Sequence, residues 1–212
     1  MMQRQVSINH RINQHIQDNM SIYTFTIVLF LMGIIFGAIV VNSLPGDAKQ
    51  NLFNYLQRFF GEMSGKNGVV PTAMFSESYT HYIQYIGFIW ILGLSIIGLP
   101  IIFILLFLKG IVIGFTVGFL VNQMGIHGFW LALASVFPQN LVIIPLFIIV
   151  STVSIAFSLK MIRQLLMRTR KQPFLPQFSH YMLLLIGVAS TLVVVSLFEA
   201  YISPVLMRSI IS

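Results

Sequence analysis

Cysteine is absent from the 212 residues, and charge is nearly so: 8% of the chain is Asp, Glu, Lys or Arg, with only five acidic residues. Without cysteine there is no disulfide framework, no thiolate nucleophile and no Cys-ligated metal. With so few charges the chain cannot cover itself against water, since a soluble domain carries about 25% charged residues. Catalytic signatures are missing too. No paired carboxylates, no phosphate-binding glycine loop and no GxSxG is present, and His10, His15, His81, His127 and His180 are scattered without an HExxH or a carboxylate partner. No catalytic, cofactor-binding or metal-ligating residue is therefore assigned, and no cofactor is expected.

What is present is apolar sequence. The composition is 57% hydrophobic, with a mean hydropathy of +0.90, and 50 residues without a charge separate Lys109 from Lys160. A membrane-spanning helix needs about 20 apolar residues, so that stretch alone holds two. Runs such as "LVIIPLFIIV" lack the alternation of a transmembrane strand. The fold class is all-α: a polytopic integral membrane protein with about five transmembrane helices. The net charge of +7 does not point to nucleic acid, because five of the twelve basic residues crowd into 160–171, as in a cytoplasmic loop beside a span. A basic lead (Arg4, Arg11) before a long apolar run reads as a retained signal-anchor rather than a cleaved signal.

The expected organisation is a single membrane domain. Residues 1–20 form a cytoplasmic juxtamembrane helix, striped by Ile8, Ile12 and Ile16, and the first span is 21–42. The 43–80 segment is extracytoplasmic; Asp47 caps a helix over 48–60 whose Leu52, Leu56, Phe59 and Phe60 share a face, able to dock on lipid or on a partner. Between 81 and 128 two divisions compete, a turn at Gly98-Leu99-Pro100 that leaves Lys109 in mid-helix, or a turn at Lys109-Gly110. A helix with ten large apolar residues gains about 3–6 kcal/mol on insertion, and a central lysine costs about 2.5–3.5 of it. That arithmetic favours the second division, with spans at 82–108 and 110–126. Trp130 and Pro138 make 127–140 an interfacial or re-entrant piece. A fourth span at 141–159, the basic cytoplasmic loop 160–179 and a fifth span at 180–202 follow. Eight basic residues then lie inside and four outside, with the N-terminus cytoplasmic and the C-terminus extracytoplasmic.

Two kinds of residue stand out. Gly33 and Gly37, and Gly110, Gly114 and Gly118, recur every four residues, a spacing that lets helix backbones approach closely in lipid. Lys109 and Glu199 are the candidate membrane charges or partner contacts. In the favoured division Lys109 marks the inner turn and Glu199 the outer edge, so the bilayer core of about 30 Å separates them and no ion pair forms.

The stretches "LFLMGIIFGAIVVNSL", "ILGLSIIGLPIIFILLFLKGIVIGFTVGFLVNQMG", "FPQN" and "FEAYISPVLM" closely resemble the stage II sporulation protein M family of endospore-forming bacteria. The likeness runs in order through nearly the whole chain. It implies a cell-membrane, multi-pass component of the engulfment machinery, in the mother-cell membrane at the sporulation septum. It also implies an anchor and scaffold for two peptidoglycan-degrading partners, stage II sporulation proteins D (a lytic transglycosylase) and P (an amidase/endopeptidase). No family catalytic residue carries over. The competing class is a small transporter or permease, with a midplane site between helices broken at Pro100, Pro138 or Pro145; the scarcity of interior charge and the lack of an inverted repeat argue against it.

Overall fold

A computed structural model describes residues 16–64, 71–167 and 174–202, with side chains described for 16–58, 72–163, 178–179 and 181–202. All its elements are helices: α1 (Met20–Ser43), α2 (Gly46–Ser64), α3 (Pro71–Gly93), α4 (Gly98–Ser135), α5 (Phe137–Met167) and α6 (Phe174–Tyr201). Four of them, α1, α4, α5 and α6, contain stretches long and apolar enough to cross a membrane. The chain is an all-α, polytopic membrane protein. Its exposed surface is oily in the manner of a lipid-facing bundle; Ile35, Phe36, Ile104, Val112, Ile186 and Val194 all stand open.

Contacts between helices set their directions. Phe25 meets Phe103 and Asn122 donates to Asn42, so α1 and α4 run parallel. Tyr85 donates to the Leu105 carbonyl, which makes α3 antiparallel to α4. Phe147 packs on Tyr85 and Ser154 beneath Gly93, so α5 runs with α3. Tyr181 stacks on Trp90 while Glu199 meets Tyr82, so α6 returns against α3. One end of the bundle therefore gathers the start of α1, the α3–α4 turn and the basic Lys160 and Arg163. The other carries α2, the end of α4 and the end of α6. The core between them is Ile86, Ile89, Ile102, Leu106, Ile143, Phe147, Val150 and Leu192, all fully buried or nearly so.

The α3–α4 turn corrects the expected division. It lies at 94–97, so the expected spans 82–108 and 110–126 are replaced by α3 and α4, and Lys109 stands in mid-helix. Backbone hydrogen bonds Leu94 N–H to Ile91 O, Ser95 N–H to Leu92 O and Gly98 N–H to Ser95 O wind the turn, and Ser158 donates to the Ser95 carbonyl. Gly98 is required there, because a Cβ would meet the Leu92 carbonyl. Pro100 then falls in the first turn of α4, where its missing N–H has no partner to lose. Lys109 is tolerated in mid-helix because its neighbours in the fold are aromatic rings and a carboxylate, so it does not bear the cost of facing lipid.

At the α2 end, Gly125 breaks α4 with φ 57° and ψ −130°, backbone that only glycine adopts cheaply. The chain reverses, and residues 126–135 return against α4's own last turns. Leu131 and Ala132 bury on Leu120, joined by Leu56 of α2, and Gly128 lies against the Leu120 carbonyl. Gly125 has open space where a Cβ would go, so the cost of replacing it is backbone strain alone. Gly125→Ala is expected to lose about 1–3 kcal/mol of stability, read as a lowered thermal midpoint in detergent.

The juxtamembrane stripe falls largely outside the described residues, as do Lys66, the 168–173 part of the basic loop and Arg208. The helix expected over 48–60 is α2, and the last ten residues of the expected 43–80 segment belong to α3.

Candidate functional site

Two features dominate the interior, a glycine seam and a polar centre. The seam is the largest interhelical interface, α1 on α4. An added Cβ at Gly33 would strike the Phe107 carbonyl, at Gly37 the Ile111 carbonyl, at Gly110 the Phe30 carbonyl and at Gly114 the Ile34 carbonyl. The two helices thus touch backbone to backbone over more than two turns, the close approach that small residues permit in lipid. Gly118 continues the line, where an added Cβ would stand 3.2 Å from the Ala38 Cα. The facing helices belong to the same chain. Beside Gly114 and Gly118 lies an open groove of about 410 Å³, lined by Ile34, Ala38, Ile113 and Val117 and by the hydrogen-bonded Asn42 and Asn122.

The polar centre lies where α3, α4, α5 and α6 meet. The Lys109 ammonium points among three rings, 5.5 Å from the Phe147 centroid, 5.7 Å from Tyr85 and 5.9 Å from Tyr82. Cation–π attraction strengthens as water is removed, so this cage stabilises a charge that lipid would not. Tyr82, itself buried, donates to Glu199 Oε2 at 2.9 Å, and Tyr85 donates to the Leu105 carbonyl at 2.9 Å. Lys109 and Glu199 are close enough for each charge to act on the other, and Ser78 of α3 also hydrogen-bonds the carboxylate. The expected separation of Lys109 from Glu199 is therefore corrected. Moving the turn to 94–97 carries Lys109 from the basic end of the bundle to mid-helix, level with Tyr82. Its ammonium then lies among the rings of Tyr82, Tyr85 and Phe147, and Glu199 stands on the hydroxyl of Tyr82.

A second polar knot closes the basic end. The Tyr181 hydroxyl donates to the Trp90 carbonyl at 2.8 Å and shares a 2.7 Å hydrogen bond with Ser154. Its ring stacks on Trp90 and on Phe157, at centroid distances of 5.0 and 4.8 Å. Thr26 and Thr152, fully buried, join α1 to α5 through a 3.2 Å hydrogen bond. These are pinning contacts rather than reaction centres. Among the described residues no three of His, Asp or Glu come together as a metal site.

Comparison with protein families decides the relationship. The family described as stage II sporulation protein M matches residues 26–204, from the first turns of α1 to just past the end of α6. The chain belongs to the stage II sporulation protein M family. No curated protein and no solved structure matches it. Membership makes it a sporulation-related, multi-pass membrane protein, in a family not known for enzymes. The matched range takes in every residue of the seam and of the polar centre.

Sequence reasoning singled out Lys109 and Glu199 but missed Tyr82, Tyr85 and Phe147, which join them. A signal was there. Ser78, Tyr82 and Tyr85, at spacings of four and three, draw a polar stripe down one face of a helix.

Proposed function

We propose that this family member is a non-enzymatic membrane scaffold that anchors and localises peptidoglycan hydrolases at the sporulation septum. The partners are stage II sporulation proteins D and P, and their placement in the mother-cell membrane thins the septal wall so that the membrane can migrate around the forespore. Family membership supports the cellular setting. The observation that carries the scaffold reading is α2. It is an amphipathic helix joined to α1 by a two-residue link, resting on the bundle through Leu56 and leaving Tyr55 69% exposed. A rigid bundle presenting one open helix at the end away from Lys160 and Arg163 is what an anchor for extracytoplasmic enzymes requires, and the positive-inside bias of the sequence supports that end as the outer one.

In sporulating cells that lack the chain, both hydrolases should still be made at normal levels, while fluorescent fusions of each spread over the membrane instead of focusing at the septum. Normal septal foci in the deletion strain would sink the reading. Tyr55→Ala combined with Arg58→Ala, both on the open side of α2, should keep the chain in the membrane and weaken the foci.

A further inference from the structure

Of the five helices that pack into the bundle, α3 is the one that does not qualify by itself as a span. Its 23 residues are long enough, yet it is absent from the helices apolar enough to cross. Its longest apolar run is in the half nearest α4, where Ile86, Ile89 and Trp90 bury in the core. The other half carries Ser76, Glu77, Ser78, Thr80, His81 and Gln84, of which all but Ser78 stay exposed. Polar groups in hydrocarbon need partners from neighbouring helices. For the side of α3 that faces the bundle those partners exist. Tyr82 and Ser78 meet Glu199 from α6, the Tyr82 and Tyr85 rings face Lys109 from α4, and Tyr85 bonds the Leu105 carbonyl. The single charges of α4 and of α6 thus stand opposite the polar face of α3.

We propose that Lys109 and Glu199 are positioning residues that hold α3 across the membrane, so that α3 is a conditional span completed by α4 and α6. The consequence reaches both surfaces. With α3 crossing, α2 and the Leu94–Ile97 turn lie on opposite sides; with α3 displaced they share one. Lys109 and Glu199 therefore decide which residues of this chain each compartment meets, whatever partners bind there.

The cysteine-free sequence makes the test direct. Single cysteines Asn51→Cys on α2 and Ser95→Cys in the turn, both at exposed positions, are labelled in the full-length chain with a membrane-impermeant maleimide from each side of sealed vesicles. In the parent the two should label from opposite sides. Lys109→Leu with Glu199→Leu should raise labelling of Ser95→Cys from the Asn51 side by about tenfold, although it makes α4 and α6 more apolar. Glu199→Gln keeps an acceptor for Tyr82 and should stay close to the parent. Adding Glu77→Leu and Gln84→Leu, which make α3 apolar enough by its own composition, should restore the parental pattern in the doubly substituted chain. Parental labelling in the Lys109→Leu, Glu199→Leu chain would overturn the proposal. So would failure of the α3 substitutions to restore it, or Asn51→Cys and Ser95→Cys labelling from one side in the parent.

Discussion

Gly37→Leu and Gly114→Leu are each expected to abolish recovery of a folded, monodisperse protein in detergent. Neither site has a side chain that could step aside: the atoms in the way are the Ile111 and Ile34 carbonyls, parts of the facing helix itself. An added side chain must separate α1 from α4 along their whole contact, and that contact is the largest in the bundle. Even Gly37→Ala should cost at least the 1–3 kcal/mol typical of an overpacked core, about 3–10 °C in thermal midpoint for a chain of this size. Gly87→Ala supplies the control. Gly87 is also inside a helix, but an added Cβ there meets nothing, so the substitution should be neutral or should stabilise by up to about 1 kcal/mol through helix propensity. If Gly37→Ala and Gly87→Ala melt alike, the seam is not what holds α1 in place.

Tyr181→Ala should be nearly as damaging. It removes a ring stacked between Trp90 and Phe157, and it leaves the Trp90 carbonyl and the Ser154 hydroxyl without their partner in a region closed to water. Truncating a large buried aromatic costs about 3–5 kcal/mol. Tyr181→Phe separates the two contributions: the ring stays and the hydroxyl goes, with an expected loss of about 1–3 kcal/mol for stranding buried polar groups. The measurement is loss of helical circular dichroism on heating in detergent, each variant against the parent. The hydroxyl matters less than proposed if Tyr181→Phe melts with the parent.

The apolar runs around 21–42, 141–159 and 180–202 were legible because lipid imposes its demand on each helix separately. Any segment of about 20 apolar residues is read the same way whatever its neighbours are. The recurrence of Gly33 and Gly37, and of Gly110, Gly114 and Gly118, is likewise local. It announces a helix face that tolerates close approach but not the helix that will approach it.

Sequence offered a turn near the α3–α4 turn as one of two divisions but favoured the other, because the cost of Lys109 depends on what surrounds it. Against hydrocarbon, a lysine in mid-helix is expensive; against Tyr82, Tyr85 and Phe147, with Glu199 nearby, it is tolerated. Those neighbours lie 24 to 90 residues away along the chain, and no window on the sequence contains them. Tyr82 meeting Glu199 across 117 residues and Thr26 meeting Thr152 across 126 belong to the same class.

By itself, then, the order of residues determined that this chain dissolves in a bilayer as helices, which face of α1 and of α4 is thin, and which loop carries the basic charge. Tertiary structure alone decided where the chain turns back, that two lone charges share one interior, and that α3 has partners for its polar face. The division has one physical cause. Transfer from water to lipid is a sum over single residues, whereas the energy of a charge or a hydroxyl inside the bundle is set by the atoms that fold against it.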